Sequence, residues 1–197
     1  MEKPVNPLID SFLNMLVAER GATVNTVSAY LNDISHFKKY LTENEIDSKI
    51  ESCSKDSISN YIKYLSKNGL NPRTATRRLS SLRQFFLFLQ SENHRSDNPT
   101  NNVDGPRQIK SLPKLLSEEE VEQLFEQANQ IVGPEGIRLV CLLEIVYAAG
   151  LRVSELISLP NTALSQDQNI LLVRGKGGKE RLVPLTISAI DSINAYR

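Results

Sequence analysis

Four runs of apolar residues at three- and four-residue steps fill the first 91 positions, a spacing that admits little besides a bundle of amphipathic helices. The first run, Leu8, Ile9, Phe12, Leu13 and Leu16, predicts a helix from Pro7 to about Arg20, closed by Gly21 as a C-cap. Val27, Tyr30, Leu31, Ile34, Phe37 and Leu41 predict a second from Val24 to Glu43. Ile58, Tyr61, Ile62 and Leu65 predict a third from Lys55 to Asn68, ended by Gly69. The fourth starts at Asn71, an N-cap followed by Pro72 in the first helical position, and buries Ala75, Leu79, Leu82, Phe86 and Leu89. Short connections join these helices, so the expected fold class is mainly α, with a compact four-helix unit over residues 1–91.

The opposite face of the fourth helix carries Arg73, Thr74, Arg77, Arg78 and Ser81. Guanidinium groups mixed with short hydroxyls are the donor set that phosphate contacts use. The formal net charge is zero, but its distribution is uneven. Between Ser57 and Ser91 stand Lys63, Lys67, Arg73, Arg77, Arg78 and Arg83 with no Asp or Glu, whereas Glu118, Glu119, Glu120, Glu122 and Glu126 cluster elsewhere. Charge alone leaves two readings open, a polyanion-facing surface and a solvated helix face; the hydroxyls and the missing acids favour the first.

Several classes are excluded. No apolar run approaches the roughly 18 residues of a membrane span, and the N-terminus lacks the pattern of a signal peptide. Cys53 and Cys141 lie far apart and read as reduced thiols of a cytosolic protein. Neither they nor His36 and His94 form metal-ligand spacing, so no metal site is expected.

From residue 92 to 114 the chain turns polar, with Asn, Pro and Gly and no periodicity, and reads as an interdomain linker. A second unit, residues 115–197, opens on a capping box, Ser117 with Glu120. Val121, Leu124, Phe125 and Ala128 give its first helix a buried side. Pro134 starts another helix, apolar on most faces and expected to be central and buried, that ends at Gly150. A short helix follows from Val153 to about Ser158. Ile170–Val173 and Arg181–Leu185 read as the strands of a hairpin, and a last helix starts near Thr186.

Two motifs in this unit carry chemistry. One reads Tyr147-Ala-Ala-Gly-Leu-Arg-Val-Ser-Glu-Leu156, with Arg152 after a helix-ending glycine and Glu155 placed to hold its guanidinium from behind. An arginine so fixed grips two phosphate oxygens at once. The other reads Val173-Arg-Gly-Lys-Gly-Gly-Lys-Glu-Arg-Leu-Val-Pro-Leu185, with Lys176 at the hairpin tip. It is no P-loop, because Gly177 follows Lys176, Glu180 follows Lys179, and a strand rather than a helix comes next. The dinucleotide fingerprint also fails, with Glu180 in the place of its last glycine. Taken singly, a surface arginine and a hairpin with solvated lysines are adequate readings of both.

Taken together, with Lys176 lying 24 positions beyond Arg152, they resemble the tyrosine recombinases, in particular the bacterial XerC/XerD group. The likeness extends over nearly the whole chain. Thr26-Val-Ser-Ala-Tyr30 and Arg77-Arg-Leu-Ser-Ser-Leu-Arg83 are in the style of the family's SAM-like core-binding domain. The resemblance implies cofactor-free site-specific recombination of double-stranded DNA through a 3′-phosphotyrosyl intermediate, by an α+β catalytic domain with a β-hairpin. Arg152 would neutralise charge on the phosphorane and Lys176 would protonate the leaving 5′-oxygen, with Glu155 in support. Lys179 and Arg181 would contact DNA phosphates or form salt bridges. The partner implied is a second tyrosine recombinase in a tetrameric synaptic complex, with chromosome-dimer resolution in the cytoplasm as the purpose.

One departure from the family pattern is large. No histidine follows His94, so the family's His-x-x-Arg box and the tyrosine after it are not found here, and Tyr196 precedes the place for that box. No nucleophile is assigned, and the expectation is a fragment with part of a catalytic domain, inactive by itself. Alternatives are a non-catalytic DNA-binding protein and a phage-type integrase.

Overall fold

A computed structural model gives the fold of the 197-residue chain, and the structure describes residues 6–44, 46, 49–107, 115–165 and 169–197, the side chain of Lys176 excepted. It divides into two compact units, Met1–Ser111 and Leu112–Arg197. Among the described residues no helix is long and apolar enough to cross a membrane.

The first unit contains α1 (Pro7–Ala18), α2 (Val24–Glu43), α3 (Lys55–Lys67) and α4 (Pro72–Ser91). Each begins on a residue whose side chain accepts an otherwise unpaired N–H of the first turn: Asn6, Thr23, Ser54 and Asn71. The apolar stripes meet in one core that includes Ile9, Phe12, Ile34, Phe37, Tyr61, Leu79, Leu82, Phe85 and Phe86. Phe12 sits in the middle of its aromatic part, edge-on to Phe85 with ring centres 5.5 Å apart and to Tyr30 at 5.6 Å.

The polar stretch after Ser91 differs from the expected linker. Thr100 and Val103 are only 3% exposed, and Val103 belongs to the helical core. Arg95 is the clasp. Its Nη1 donates to the carbonyls of Glu51 (2.6 Å) and Cys53 (2.9 Å), and its guanidinium lies over the Phe86 ring. Arg83, counted above with the basic block, donates to the carbonyl of Val103 at 2.7 Å. Two arginines and one valine thus fold a segment without periodicity onto the helices; residues 108–114 lie outside the described residues.

The second unit contains α5 (Glu118–Asn129), α6 (Pro134–Ala149), α7 (Val153–Ile157), β1 (Leu164–Ser165), β2 (Ile170–Arg174), β3 (Glu180–Pro184) and α8 (Ile187–Tyr196). The strands form an antiparallel sheet in the order β1-β2-β3, with Val173 opposite Arg181 and Arg174 opposite Glu180. The hairpin is as expected; β1, two residues long, is an addition to it. The Ser117–Glu120 capping box is present in both directions. Cys141, Ile145, Leu151, Ala163, Leu171, Val173 and Ile193 make the core. Gly136 is required where α6 begins, because a Cβ there would stand 1.8 Å from the carbonyl oxygen of Ile131.

Burial of α5 and α6 corrects the sequence reading. On α6 only Gly136, Cys141 and Ile145 are buried, while Ile137, Leu139, Val146 and Tyr147 are exposed. On α5 only Ala128 is buried and Leu124 is exposed. An apolar stripe records which face favours cover; α5, α8 and the sheet pack on α6 and still leave Ile137, Leu139, Val146 and Tyr147 exposed.

Candidate active site

Helix α6 ends by a backbone reversal. Gly150 takes φ +57°, a left-handed conformation that costs glycine nothing, and its N–H caps the carbonyl of Val146 at 2.8 Å. Buried Leu151 then pins the chain to the core, and Arg152 follows in extended conformation as the residue before α7. Glu155, in the first turn of α7, reaches back. Its Oε2 accepts the backbone N–H of Arg152 at 3.0 Å, and its Oε1 accepts Arg152 Nη1 at 2.8 Å. The carboxylate is 5% exposed and the Arg152 side chain 70%, so a covered acid holds an open guanidinium.

The same carboxylate receives a second arginine, this one from the hairpin. Arg181 on β3 donates Nη1 to Oε1 at 3.2 Å and Nη2 to Oε2 at 2.8 Å. This bidentate pair is the strong geometry for guanidinium and carboxylate. Of the two roles expected for Arg181, DNA contact and salt-bridge partner, the structure shows the second, its guanidinium being turned onto Glu155. Gly175, at the start of the hairpin turn, closes the assembly. A Cβ there would stand 3.3 Å from Arg181 Nη1 and 3.5 Å from Glu155 Oε1. The turn itself is set by the Gly175 N–H donating to the carbonyl of Lys179 at 2.7 Å, with Gly177 and Gly178 both at positive φ. The two motifs of the sequence therefore meet: Lys176 directly follows Gly175, which lies against Glu155 and Arg181, and its side chain lies outside the described residues. Lys179 is exposed. Tyr196, on α8, lines an apolar cavity with Cys141, Ile145 and Leu171.

Four donors on one carboxylate change its acidity. Hydrogen bonds from Arg181, then the Arg152 N–H, hold the Glu155 carboxyl down to about 2 from an ordinary 4.5. A carboxyl depressed in the folded chain stabilises it fully above the ordinary value and loses that contribution as the pH falls through the folded one. The melting temperature of the second unit should therefore drop between pH 4.5 and about pH 2. Subtracting the profile of Glu155→Gln should isolate this share; superimposable profiles would rule the cluster out as its source.

In the first unit the expected phosphate-facing row divides. Arg73 is exposed and Thr74 partly so. Arg77 is half-exposed at 51%, Arg78 only 16%, and Ser81 is buried. The reason is an acid delivered by another helix. Asp33 of α2, 2% exposed, accepts from Arg77 Nη1 and from Ser81 Oγ (2.7 Å), and Arg78 Nε stands 3.8 Å from its other oxygen. The Tyr61 hydroxyl is 2.9 Å from His36 Nδ1. Burial, then the positive charge of Arg78, lowers the His36 pKa. Ser81 and Arg78 thus face inward, towards Asp33, whereas Arg73 and Arg77 of the same row are exposed. A count of acids along residues 57–91 could not find Asp33. Its place between Tyr30 and Ile34, on the apolar stripe of α2, was the available signal.

Residues 9–93 match the model of the phage integrase N-terminal SAM-like domain, and residues 114–197 that of the phage integrase family. The chain is 41% identical over 187 residues to the tyrosine recombinase XerD of Caulobacter vibrioides, covering 95% of this chain and 61% of that protein. It is 40% identical over 194 residues to the tyrosine recombinase XerD of Rhizobium meliloti, covering 95% of this chain and 62% of the relative. It therefore spans about three fifths of the length of these relatives. Among solved structures, a lambda integrase tetramer bound to a Holliday junction shares the fold with a TM-score of 0.74 at 19% identity, over 95% of this chain and 54% of that one.

Proposed function

The chain belongs to the phage integrase family of tyrosine recombinases, and from that premise we propose that it serves site-specific strand exchange in double-stranded DNA. The observation that carries the reading is the Glu155 carboxylate, which joins Arg152 after α6 to Arg181 on the lysine hairpin. In the proposed chemistry a tyrosine oxygen bonds to the scissile phosphorus and the bond to the 5′-oxygen breaks. Arg152 neutralises the charge that builds on the phosphate oxygens, and Lys176 gives the departing 5′-oxygen its proton. Glu155 and Arg181 keep Arg152 and the hairpin in register. Conserving the phosphodiester energy in a phosphotyrosyl link lets the strand be resealed with no cofactor. Likeness to the XerD proteins supports chromosome-dimer resolution in the cytoplasm, with a second recombinase in a tetramer, as the setting. The helical unit, residues 1–91, is the proposed DNA-grasping domain and residues 115–197 the proposed catalytic part. Arg73, Thr74, Arg77 and Lys179 are the proposed phosphate contacts.

A second reading is carried by α4 by itself, whose exposed Arg73 and Arg77 are fitted to hold DNA with no cutting step. Both readings are tested at once by titrating the chain into labelled duplex at rising salt and then running denaturing gels. Binding should weaken with salt, the logarithmic slope falling by about 0.9 for each of Arg73→Ala and Lys179→Ala, and under the second reading no covalent adduct forms. Absence of binding at low salt would remove the DNA reading, and an adduct would remove the second. The coding sequence past codon 197 separates the readings further. A continuation with His-x-x-Arg and a later tyrosine supports strand exchange, and an immediate stop supports a DNA-holding protein.

A further inference from the structure

We propose that Asp33 is a positioning residue for DNA, a buried carboxylate that fixes the half-exposed guanidinium of Arg77 for a backbone phosphate. This deepens, and rests on, the reading of α4 as a DNA-contacting helix.

Asp33 occupies the buried stripe of α2 and is 2% exposed. Three groups of α4 converge on it. Arg77 Nη1 and Ser81 Oγ share its Oδ2, and Arg78 Nε approaches Oδ1 at 3.8 Å. Arg77 and Ser81 are one helical turn apart, so a single carboxylate reaches both from one side. A lone acid at that depth is strongly unfavourable, and the guanidinium and hydroxyl make it tolerable. Ser81 is itself buried and is spent on Asp33. Arg77 is not: its side chain stays 51% exposed while one nitrogen is tied down. The guanidinium is a planar fork, so fixing one nitrogen restricts the rest. An ordinary surface arginine loses rotamer freedom when it grips a phosphate; Arg77 has lost much of it before DNA arrives. The second unit uses the same construction, with buried Glu155 behind Arg152.

The test turns on a sign. Counted as charge, Asp33→Asn deletes an anion from beneath the face proposed to meet DNA and should tighten binding. Positioning predicts the reverse, affinity for a labelled duplex about tenfold weaker and a salt slope shallower by about 0.9, one phosphate contact. Asp33→Asn also removes the counter-charge near Arg78, so its fold is checked by circular dichroism and melting. Arg77→Lys supplies an independent arm at a half-exposed position. It keeps the charge and loses the fork, and about fivefold weaker binding is expected. A folded Asp33→Asn chain that binds as tightly as the unaltered one or tighter overturns the proposal, as does undiminished affinity in Arg77→Lys. Failure of the unaltered chain to bind duplex at low salt would instead overturn the DNA reading, so the two failures are distinct.

Discussion

Arg152→Ala is expected to slow formation of the phosphotyrosyl link by about 10²–10³-fold, the usual loss when one preorganised donor to a developing anion is removed. The measurement is trapping on a nicked suicide duplex, by a recombinase of the relatives' length that carries these residues. Affinity for the uncut duplex should change far less, because the contact matters most when charge builds on the phosphate. Arg152→Lys should recover little, since an ammonium cannot span two phosphate oxygens and Glu155 together. Equal trapping by the variants and the unaltered protein would strip Arg152 of its role.

Phe12→Ala should lower the unfolding free energy of the first unit by about 3–5 kcal/mol, the range for emptying a fully buried phenylalanine site. Phe12 is 0% exposed and lies among Phe85, Phe88 and Tyr30, side chains of α4 and α2 of which the two phenylalanines are themselves buried in the core. Relaxation into the void is therefore limited, which places the loss towards the upper end. For a unit of this size about 1 kcal/mol corresponds to about 4–8 °C, so the melting midpoint should fall by more than about 10 °C. Urea unfolding of the chain checks it. A shift under about 1 kcal/mol would mean that the aromatic centre is less tightly packed than its contacts indicate. DNA binding should fall with it, because α1 supports the helix that carries Arg73 and Arg77.

The helices of the first unit were legible in the sequence because their signals are local. A stripe at helical spacing, a capping side chain and a glycine at the end each act within one turn, and α2 from Val24 to Glu43 followed from them. Glu155 behind Arg152 was legible for the same reason, being three residues away. What escaped depends on partners distant in the chain. Asp33 meets Ser81 across 48 positions, Arg95 meets Glu51 across 44, and no periodicity encodes either. The uncovered sides of α5 and α6 were missed because hydropathy describes a preference and not its satisfaction. Two-residue β1 is too short to leave a pattern. The meeting of Arg181 with Glu155, 26 positions apart, arises only when β3 pairs with β2.

One carboxylate between two guanidinium groups also has a kinetic consequence. Glu155, Arg152 and Arg181 together carry a single net positive charge, and under the proposed function an approaching duplex meets at a distance only that sum, itself largely screened beyond about 8–10 Å at ordinary salt. The cluster does little to attract DNA from solution. Within hydrogen-bonding range the sum no longer matters, because a phosphate meets the open fork of Arg152 already set in place. Such a site leaves the rate of encounter to exposed surface charges such as Arg73 and Lys179, and exerts itself on how long the docked complex lasts.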